Sequence, residues 1–553
     1  MPTRSVLAFA LLSLAAPSFA AEEAVDLEMV TRIRDEGFTN SKVMDTVGYL
    51  TDVIGPRVTG SPQMREANDW TRQRLESWGL ANAHLEGFPF GRGWSLERAI
   101  VQMVKPSSAT LLAVPRGFTP GTDGPRRGKV VKVKIETEAD AEKYRGQLAG
   151  RIVLLGDPRD TANPDKPQFT RYSEPELDDL ARYDVAPVRR GSPVDRETAA
   201  RRLRLQRMLR PFFVTEKALA TIEVSPTDAG VVLVGRGGSW VKGEDPGVPA
   251  LVMAAEQYNR LARLVDRDVE VELELDIRAR FHDEDPTAYN TIAEIPGTDK
   301  RGEVVMLGAH LDSWHAATGA TDNAAGSAVV MEAVRILQAL DVKPRRTIRI
   351  ALWSGEEQGL LGSKAYVAEH FGTRAGTPDP RERDLPSFLR RDPTGPVTTK
   401  PDHARLSAYF NIDNGTGKIR GIYAERNAAV APIFQAWLRP LHDLGATTVT
   451  LRHTGGTDHL SFDAVGLPAF QFIQDEADYS TRTHHTNLDV YDRLQKNDLM
   501  QAAVVLATFT YDAAMRPERL PRRPLVRDAP ASPPPATTTS TSVTSTPATA
   551  PKP

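Results

Sequence analysis

The fold is decided by three consecutive runs, which read VVMLGAHLD at 304–312, AAGSAVVMEAVRILQAL at 324–340 and TIRIALW at 347–353. The first and last runs are short and apolar, as buried strands are. The middle run repeats its apolar residues every three or four positions, which indicates a helix with one buried face. A strand, a helix and a second strand in this order predict neighbouring strands of one sheet.

The same alternation continues towards the carboxyl end of the chain. It predicts further strands at 406–413, 447–451 and 469–473, and further helices at 359–370, 428–444 and 497–515. This pattern predicts an α/β sandwich, with helices on both faces of a mainly parallel, mixed sheet. Ligands of such sheets bind beyond the carboxyl ends of the strands, so functional residues are expected there.

Residues 128–277 have a different sequence pattern. They contain short β-type runs separated by proline, glycine and charged loops. We therefore assign 125–279 to an inserted β-rich domain, and 21–124 together with 280–517 to the α/β domain. Eight arginines fall between Arg189 and Arg210. They predict a solvated helix, with a nucleic-acid or lipid surface as the alternative.

Both ends of the chain are expected to lie outside the fold. Residues 1–20 contain Arg4, an apolar stretch at 6–16 and the small-residue site Ser18-Phe19-Ala20, which is typical of a cleavable signal peptide. Such a segment predicts a secreted or periplasmic protein. Residues 518–553 are rich in proline, threonine, serine and alanine and predict a disordered tail. No later segment reaches the roughly 18 apolar residues of a membrane span.

The composition excludes several classes of function. The chain has 553 residues, of which 40% are hydrophobic and 25% charged, as in ordinary globular proteins. The net charge of -3 gives no basic field that would recruit nucleic acid. The chain has no cysteine, so disulfides, iron–sulfur clusters and thiol nucleophiles are excluded. A metal site must therefore use histidine, aspartate and glutamate.

Eight titratable residues follow predicted strands or precede the helix after one. They are His310, Asp312, Asp322, Glu356, Glu357, Asp413, His484 and His485. Each alone has a structural explanation; Asp322, for example, is a plausible helix cap. Together they place five acids and three imidazoles on one rim, with no buried cation expected among them. Such a cluster is unfavourable unless a metal ion fills it.

The residue types indicate which metal chemistry fits. Two imidazoles and three carboxylates without a thiolate suit borderline divalent ions, and Asp322 can bridge two of them. Glu356 is then left beside the attacking water as a general base and later a general acid. Asp312, two residues beyond His310, is placed to orient that imidazole, with a surface turn as its alternative role.

A known family carries the same motifs. The motifs are His310-Leu311-Asp312, Asp322-Asn323, Ser354-Gly355-Glu356-Glu357-Gln358-Gly359, Asp413 and His485-Thr486-Asn487-Leu488-Asp489. They resemble the M28 family of co-catalytic zinc aminopeptidases and carboxypeptidases. The stretches Ile54-Gly55-Pro56-Arg57 and Gly456-Thr457-Asp458-His459 are similar to further family stretches, and the β-rich insertion resembles a protease-associated (PA) domain.

The resemblance implies a role for each residue. Two Zn²⁺ ions per chain are implied, one held by His310 and Asp413 and the other by Glu357 and His485. Asp322 would bridge the ions and precede a cis peptide bond, and Glu356 would be the catalytic base.

One position departs from the family pattern. Many relatives have tyrosine or phenylalanine before the last histidine ligand, where this chain has His484. His484 either donates a hydrogen bond to the tetrahedral intermediate as a catalytic residue or only packs. We expect Asp458 and His459 at the edge of the site.

The leading hypothesis is a secreted di-zinc exopeptidase acting on peptide substrates as an aminopeptidase. A carboxypeptidase or dipeptidase of the same family is the main alternative, because Arg452 and Arg482 flank the last strands and are able to bind a carboxylate. Two other classes remain. One is a catalytically inactive relative that acts as a binding protein, and the other is an aminoacyl cyclase with one zinc.

Overall fold

The structure is a computed structural model that describes residues 23–161, 165–183, 196–376 and 395–524. Three of the sequence predictions fall outside the described residues. They are the signal segment at 1–20, the first part of the arginine-rich stretch at 189–195 and the tail from 525 onwards.

The described part of the chain contains eighteen strands, numbered here in chain order. They are β1 Ala81–Pro89, β2 Gly93–Lys105, β3 Ala109–Leu111, β4 Ala113–Pro115, β5 Arg126–Val133, β6 Ile152–Leu155, β7 Ala220–Val224, β8 Ala250–Met253, β9 Glu272–His282, β10 Thr287–Ile295, β11 Lys300–His310, β12 Arg346–Trp353, β13 Gly372–Arg374, β14 Val397–Thr399, β15 Leu406–Asn411, β16 Ile419–Tyr423, β17 Thr448–Thr450 and β18 Ala469–Gln474.

Twelve α-helices lie in the same described ranges. They are α1 Leu27–Thr39, α2 Val43–Gly48, α3 Pro62–Ser77, α4 Glu138–Glu142, α5 Glu174–Ala181, α6 Arg196–Thr215, α7 Ala255–Val265, α8 Ala325–Ala339, α9 Leu361–His370, α10 Ala431–Leu438, α11 His459–Asp463 and α12 Lys496–Met515. Among the described residues, no helix combines the length and the apolar composition that crossing a bilayer requires.

The first sheet has the strand order β1-β10-β12-β11-β15-β18-β16-β17. Its four central strands, β12, β11, β15 and β18, are parallel to one another. The pair β16–β17 is also parallel, whereas β1–β10, β10–β12 and β16–β18 are antiparallel, so four of the seven pairs are parallel. The predicted mainly parallel, mixed sheet is therefore confirmed.

Both faces of this sheet are buried, which explains why its strands read as continuous apolar runs. Side chains of β11 alternate between the faces. Val305 and Leu307 pack into the core formed with α8 and α12. Val304 and Met306 pack on the other side with Tyr366 of α9. The observed layers are those of the predicted α/β sandwich.

A second eight-stranded sheet has the order β3-β2-β9-β5-β6-β7-β8-β4 and its own apolar core. The chain enters it after β1 and leaves it before β10, and Arg92 pairs with Asp283 where the two crossings meet (Nε–Oδ1 2.7 Å). The division of the chain into domains stays a prediction. From the sequence, we assigned residues up to 124 to the other domain. The strands β2 to β4 nevertheless belong to this second sheet, and β2 pairs with β9 along nearly its whole length. Cross-strand pairing of this kind leaves no local signal in the sequence.

Residues 518–524, which the sequence assigned to the tail, pack against the first sheet. Leu520 is only 3% exposed, and its N–H donates to Ser407 Oγ at 3.3 Å. Arg523 pairs with Asp463 at 2.8 Å. The packed part of the chain thus extends beyond residue 517.

Candidate metal centre

The parallel strands bring the sequence-predicted residues to one edge of the first sheet. His310 is the last residue of β11, Glu356 and Glu357 follow β12, and Asp413 follows β15. Asp322 lies in the short turn Ala320–Ala324 that leads into α8. His485 and His484 lie in the loop after β18. These positions are the carboxyl ends of the central strands, as the sequence predicted.

Asp322 lies between two pairs of side chains. On one side, Asp322 Oδ1 is 3.3 Å from His310 Nε2, which is also 3.3 Å from Asp413 Oδ1. On the other side, Asp322 Oδ2 is 3.2 Å from His485 Nε2, which is 2.9 Å from Glu357 Oε2. Each oxygen of one carboxylate thus faces one imidazole–carboxylate pair.

The donor atoms fit a pair of divalent cations. Two overlapping groups of metal-ligating atoms share Asp322; one adds His310 and Asp413, and the other His484 and His485. Asp322 Oδ2 and Glu357 Oε1 are buried without a hydrogen-bond partner. A buried carboxylate oxygen is costly unless a donor or a cation satisfies it, and nitrogen and oxygen donors of these types suit zinc.

Asp312 holds the loop that carries both glutamates. Its two carboxylate oxygens accept from the backbone N–H groups of Glu356 and Glu357, at 3.2 and 3.3 Å, and from Thr59 Oγ1 at 2.9 Å. His310 Nδ1 lies 3.0 Å from the backbone oxygen of Asp312 and 3.6 Å from its carboxylate. The imidazole is therefore oriented mainly by the Asp312 backbone, and the carboxylate positions the glutamates.

Asp489 is a site residue to which the sequence analysis gave no role. Its carboxylate accepts from the backbone N–H of Thr321 at 2.5 Å, from Thr321 Oγ1 at 2.7 Å and from the backbone N–H of Asp322 at 3.2 Å. Burial raises the pKa of Asp489 to about 7, with a contribution from the nearby Asp322 charge. The peptide bond between Asp322 and Asn323 is cis, as the resemblance implied. The signal for Asp489 was its place in the motif that starts at His485.

Arg57 corrects the expectation that no buried cation lies near the cluster. Its side chain is fully buried beside the loop between His310 and Asp322. Its three nitrogens make five hydrogen bonds to backbone oxygens, those of Leu50, Gly55, Leu311, Thr318 and Gly319, at 2.7 to 3.1 Å, and three of the five come from Nη1. Burial lowers the pKa of Arg57 to about 10, against the opposing charges of Asp489, Asp312 and Asp322. The guanidinium shapes the loop without hydrogen-bonding to the carboxylates of the cluster.

The electrostatics of the centre are those of crowded, buried acids. Burial raises the pKa of Glu356 well above its usual range, and the charges of Asp413 and Asp458 raise it further. Burial likewise raises the pKa of Asp458 to about 7, and both of its carboxylate oxygens lack a hydrogen-bond partner. Asp458 and His459 are 0% exposed. Both are thus buried like His310 and Asp312, and their place at the edge of the site stays a prediction.

His484 lies at the mouth of the centre, and its side chain is 45% exposed. Its ring lies against that of His485, with centroids 3.9 Å apart and planes tilted by 32°, and its Nε2 is 3.8 Å from Asp322 Oδ2. On its other side the ring lies 4.9 Å from Tyr479. His484 is thus partly exposed beside Asp322, and its ring packs against the imidazole of His485.

Comparisons with known proteins agree with this geometry. Residues 290–510 match the model of peptidase family M28. Carboxypeptidase Q of Bos taurus is 26% identical over 487 residues, which are 88% of each chain. Leupeptin-inactivating enzyme 1 of Streptomyces exfoliatus is 30% identical over 183 residues, 33% of this chain and 35% of that enzyme.

Solved structures extend the likeness over most of the chain. A peptidase M28 precursor from Shewanella amazonensis has a TM-score of 0.61 and 26% identity, covering 91% of this chain and 99% of its own. A zinc aminopeptidase from Bacillus subtilis has a TM-score of 0.52 at 17% identity, covering 86% and 94%, which is a likeness of fold. The likeness of the inserted region to a PA domain stays a prediction. By sequence match, fold and strand-end residues, residues 290–510 belong to peptidase family M28.

Proposed function

We propose that the chain is an exopeptidase with two zinc ions that removes residues from the amino end of peptides. The observation that carries this proposal is the position of Asp322, whose two oxygens face His310 with Asp413 and His485 with Glu357. When bound, a pair of zinc ions at these residues would polarise the scissile carbonyl and lower the pKa of the attacking water.

The protein's own groups would move the protons. Glu356 follows β12 at the same edge of the sheet, and its backbone is held by Asp312. Because burial raises the pKa of the Glu356 carboxyl, it would take a proton from the attacking water and give it to the leaving amine. His484, half-exposed beside Asp322, would donate a hydrogen bond to the carbonyl oxygen as negative charge develops there.

The choice of the amino end rests on charge. The acids at or beside the centre outnumber the positive charges that two zinc ions and Arg57 would supply, which favours a substrate ammonium over a substrate carboxylate. These acids are Asp312, Asp322, Glu356, Glu357, Asp413, Asp458 and Asp489. One of the two arginines considered for a carboxylate is engaged elsewhere. Arg452 Nε donates to the backbone oxygen of Arg182 at 3.2 Å, and its Nη2 donates to the backbone oxygen of Asp179.

A carboxypeptidase or dipeptidase is the second candidate. The curated relatives that cover 88% of the chain bear the name carboxypeptidase Q. Arg482 lies in the same loop as His485 and is half-buried, so it remains available to bind a terminal carboxylate. We further propose that the peptidase is exported, on the basis of the segment at 1–20.

Three substrates separate the candidates. An aminopeptidase hydrolyses an aminoacyl-anilide and leaves an amino-blocked peptide intact. A carboxypeptidase gives the opposite result, and a dipeptidase cleaves free dipeptides but neither of the other two. Chelation should abolish whichever activity is found, and Zn²⁺ should restore it. Activity that survives complete chelation would overturn the zinc mechanism.

A further inference from the structure

The loop that carries His485 depends on distant parts of the chain for its position. We define the His485 loop as residues 475–489. His310 and Asp413 end or directly follow central strands, so the sheet positions them. His485 instead lies well beyond the end of β18, and its φ of 59° is in the left-handed region, which is unfavourable for a residue with a Cβ. Something other than the sheet must hold it there.

One support comes from residues 230–234, which belong to the inserted segment between β7 and β8. The backbone N–H of Val234 donates to the backbone oxygen of His485 at 2.8 Å. The N–H of Val232 donates to Asn487 Oδ1 at 2.7 Å, and the N–H of Asn487 donates back to the Val232 oxygen at 3.2 Å. Leu233 and Thr486 form an antiparallel bridge between these contacts. Residues 485–487 therefore pair with residues 232–234 in a short two-stranded ladder that includes His485.

A second support comes from residues 168–172, which belong to the inserted segment between β6 and α5. Thr170 N–H donates to the backbone oxygen of Ala477 at 2.7 Å, in another antiparallel bridge. Arg171 Nη1 lies 2.9 Å from Asp475 Oδ2, and the N–H of Tyr172 donates to Asp475 Oδ1 at 2.9 Å. Asp475 is fully buried. This ion pair thus fixes the start of the same loop.

We infer that the inserted region positions His485, and thereby sets how tightly the metal position formed by His485 and Glu357 binds its ion. Residues 168–172 and 230–234 lie some 300 and 250 positions away from the loop in sequence. The other position, formed by His310 and Asp413, does not depend on these contacts, because β11 and β15 place both residues. The inserted region then contributes to one metal position, because it holds the loop that carries His485. This inference rests on the proposed two-zinc function.

The test uses the full chain with two substitutions, Asn487→Ala and Arg171→Met, made singly and together. Asn487→Ala removes the acceptor of the Val232 N–H. Arg171→Met removes the ion pair with Asp475 and a second one with Asp498 at 2.7 Å, and it leaves Arg420 beside Asp475 at 3.2 Å. Arg92→Met is the matched control, since it removes a two-pronged ion pair with Asp283 that does not contact the His485 loop. Each metal-free protein is titrated with Zn²⁺ against a competing chelator, and circular dichroism checks that it is folded.

The double variant should bind the first zinc with the affinity of the unsubstituted protein and the second about tenfold or more weakly, as when partners that orient a ligand are lost. Each single variant should show a smaller loss in the second zinc alone, and Arg92→Met should show none. The inference is overturned if the second zinc binds as before in the folded variants. It is also overturned if both zincs weaken alike, which would indicate general loosening. An unsubstituted protein that binds fewer than two zincs would instead overturn the proposed function.

Discussion

Replacing the buried Arg57 should destabilise the protein more than any surface substitution of the same size. Arg57 makes five hydrogen bonds, all to backbone oxygens, from a side chain that is fully buried. Each such bond contributes about 1 kcal/mol net to stability. Arg57→Met leaves all five oxygens without their donor, so we expect a loss of about 5 kcal/mol.

The conservative substitution gives the sharper comparison. A lysine ammonium offers three N–H donors to the five backbone oxygens, so Arg57→Lys should leave two oxygens unsatisfied and cost about 2 kcal/mol. The assay is urea unfolding of the chelated protein, which yields the free energy of unfolding for each variant. Arg127→Met is the control, because Arg127 is 62% exposed in its pair with Glu274, and such pairs contribute less than about 1 kcal/mol.

Two results would refute this reasoning. If the free energy of unfolding of Arg57→Met is within about 1 kcal/mol of that of the unsubstituted protein, the five hydrogen bonds do not hold the loop. If Arg57→Lys lowers the free energy of unfolding as much as Arg57→Met does, the number of hydrogen-bond donors does not determine the loss.

Three further predictions concern single carboxyl groups. Glu356→Gln should retain its zinc while turnover falls by about 10²- to 10⁴-fold, and unchanged turnover removes Glu356 from the mechanism. Asp489→Ala should weaken zinc binding by about 10- to 100-fold, because Thr321 and Asp322 lose their acceptor; an unaltered zinc affinity contradicts this role. Asp512→Asn should raise the melting temperature, and more so at about pH 8 than at about pH 4. Burial raises the pKa of Asp512 well above its usual range, so the folded chain holds a proton that the unfolded chain releases, and stability falls as the pH rises. An equal change in melting temperature on substitution at both pH values would contradict it.

The residues that end strands were predictable from the sequence. A buried strand in an α/β protein is a continuous apolar run, so His310 at the end of β11 and Glu356 after β12 are visible as polar residues that interrupt such runs. The parallel order of the strands then brings them together at one edge. The prediction of a ligand set needed only these local patterns and the family resemblance.

The residues that position the ligands were not predictable in the same way. Arg57 hydrogen-bonds to carbonyls up to about 260 positions away, and Asp489 to groups about 170 positions away. No periodicity in the sequence encodes contacts of that separation. The same reason applies to β2, whose partner β9 follows it by more than 150 residues. Asp458 and His459 were expected near the site because their stretch resembles one in the family, whereas their full burial is decided by the neighbouring elements.

A crystal structure of the zinc-loaded protein, with anomalous diffraction collected at the zinc absorption edge, would locate the ions directly. The prediction is two zinc peaks, one on each side of the Asp322 carboxylate, the first beside His310 and Asp413 and the second beside Glu357 and His485. A single peak, or peaks away from Asp322, would contradict it.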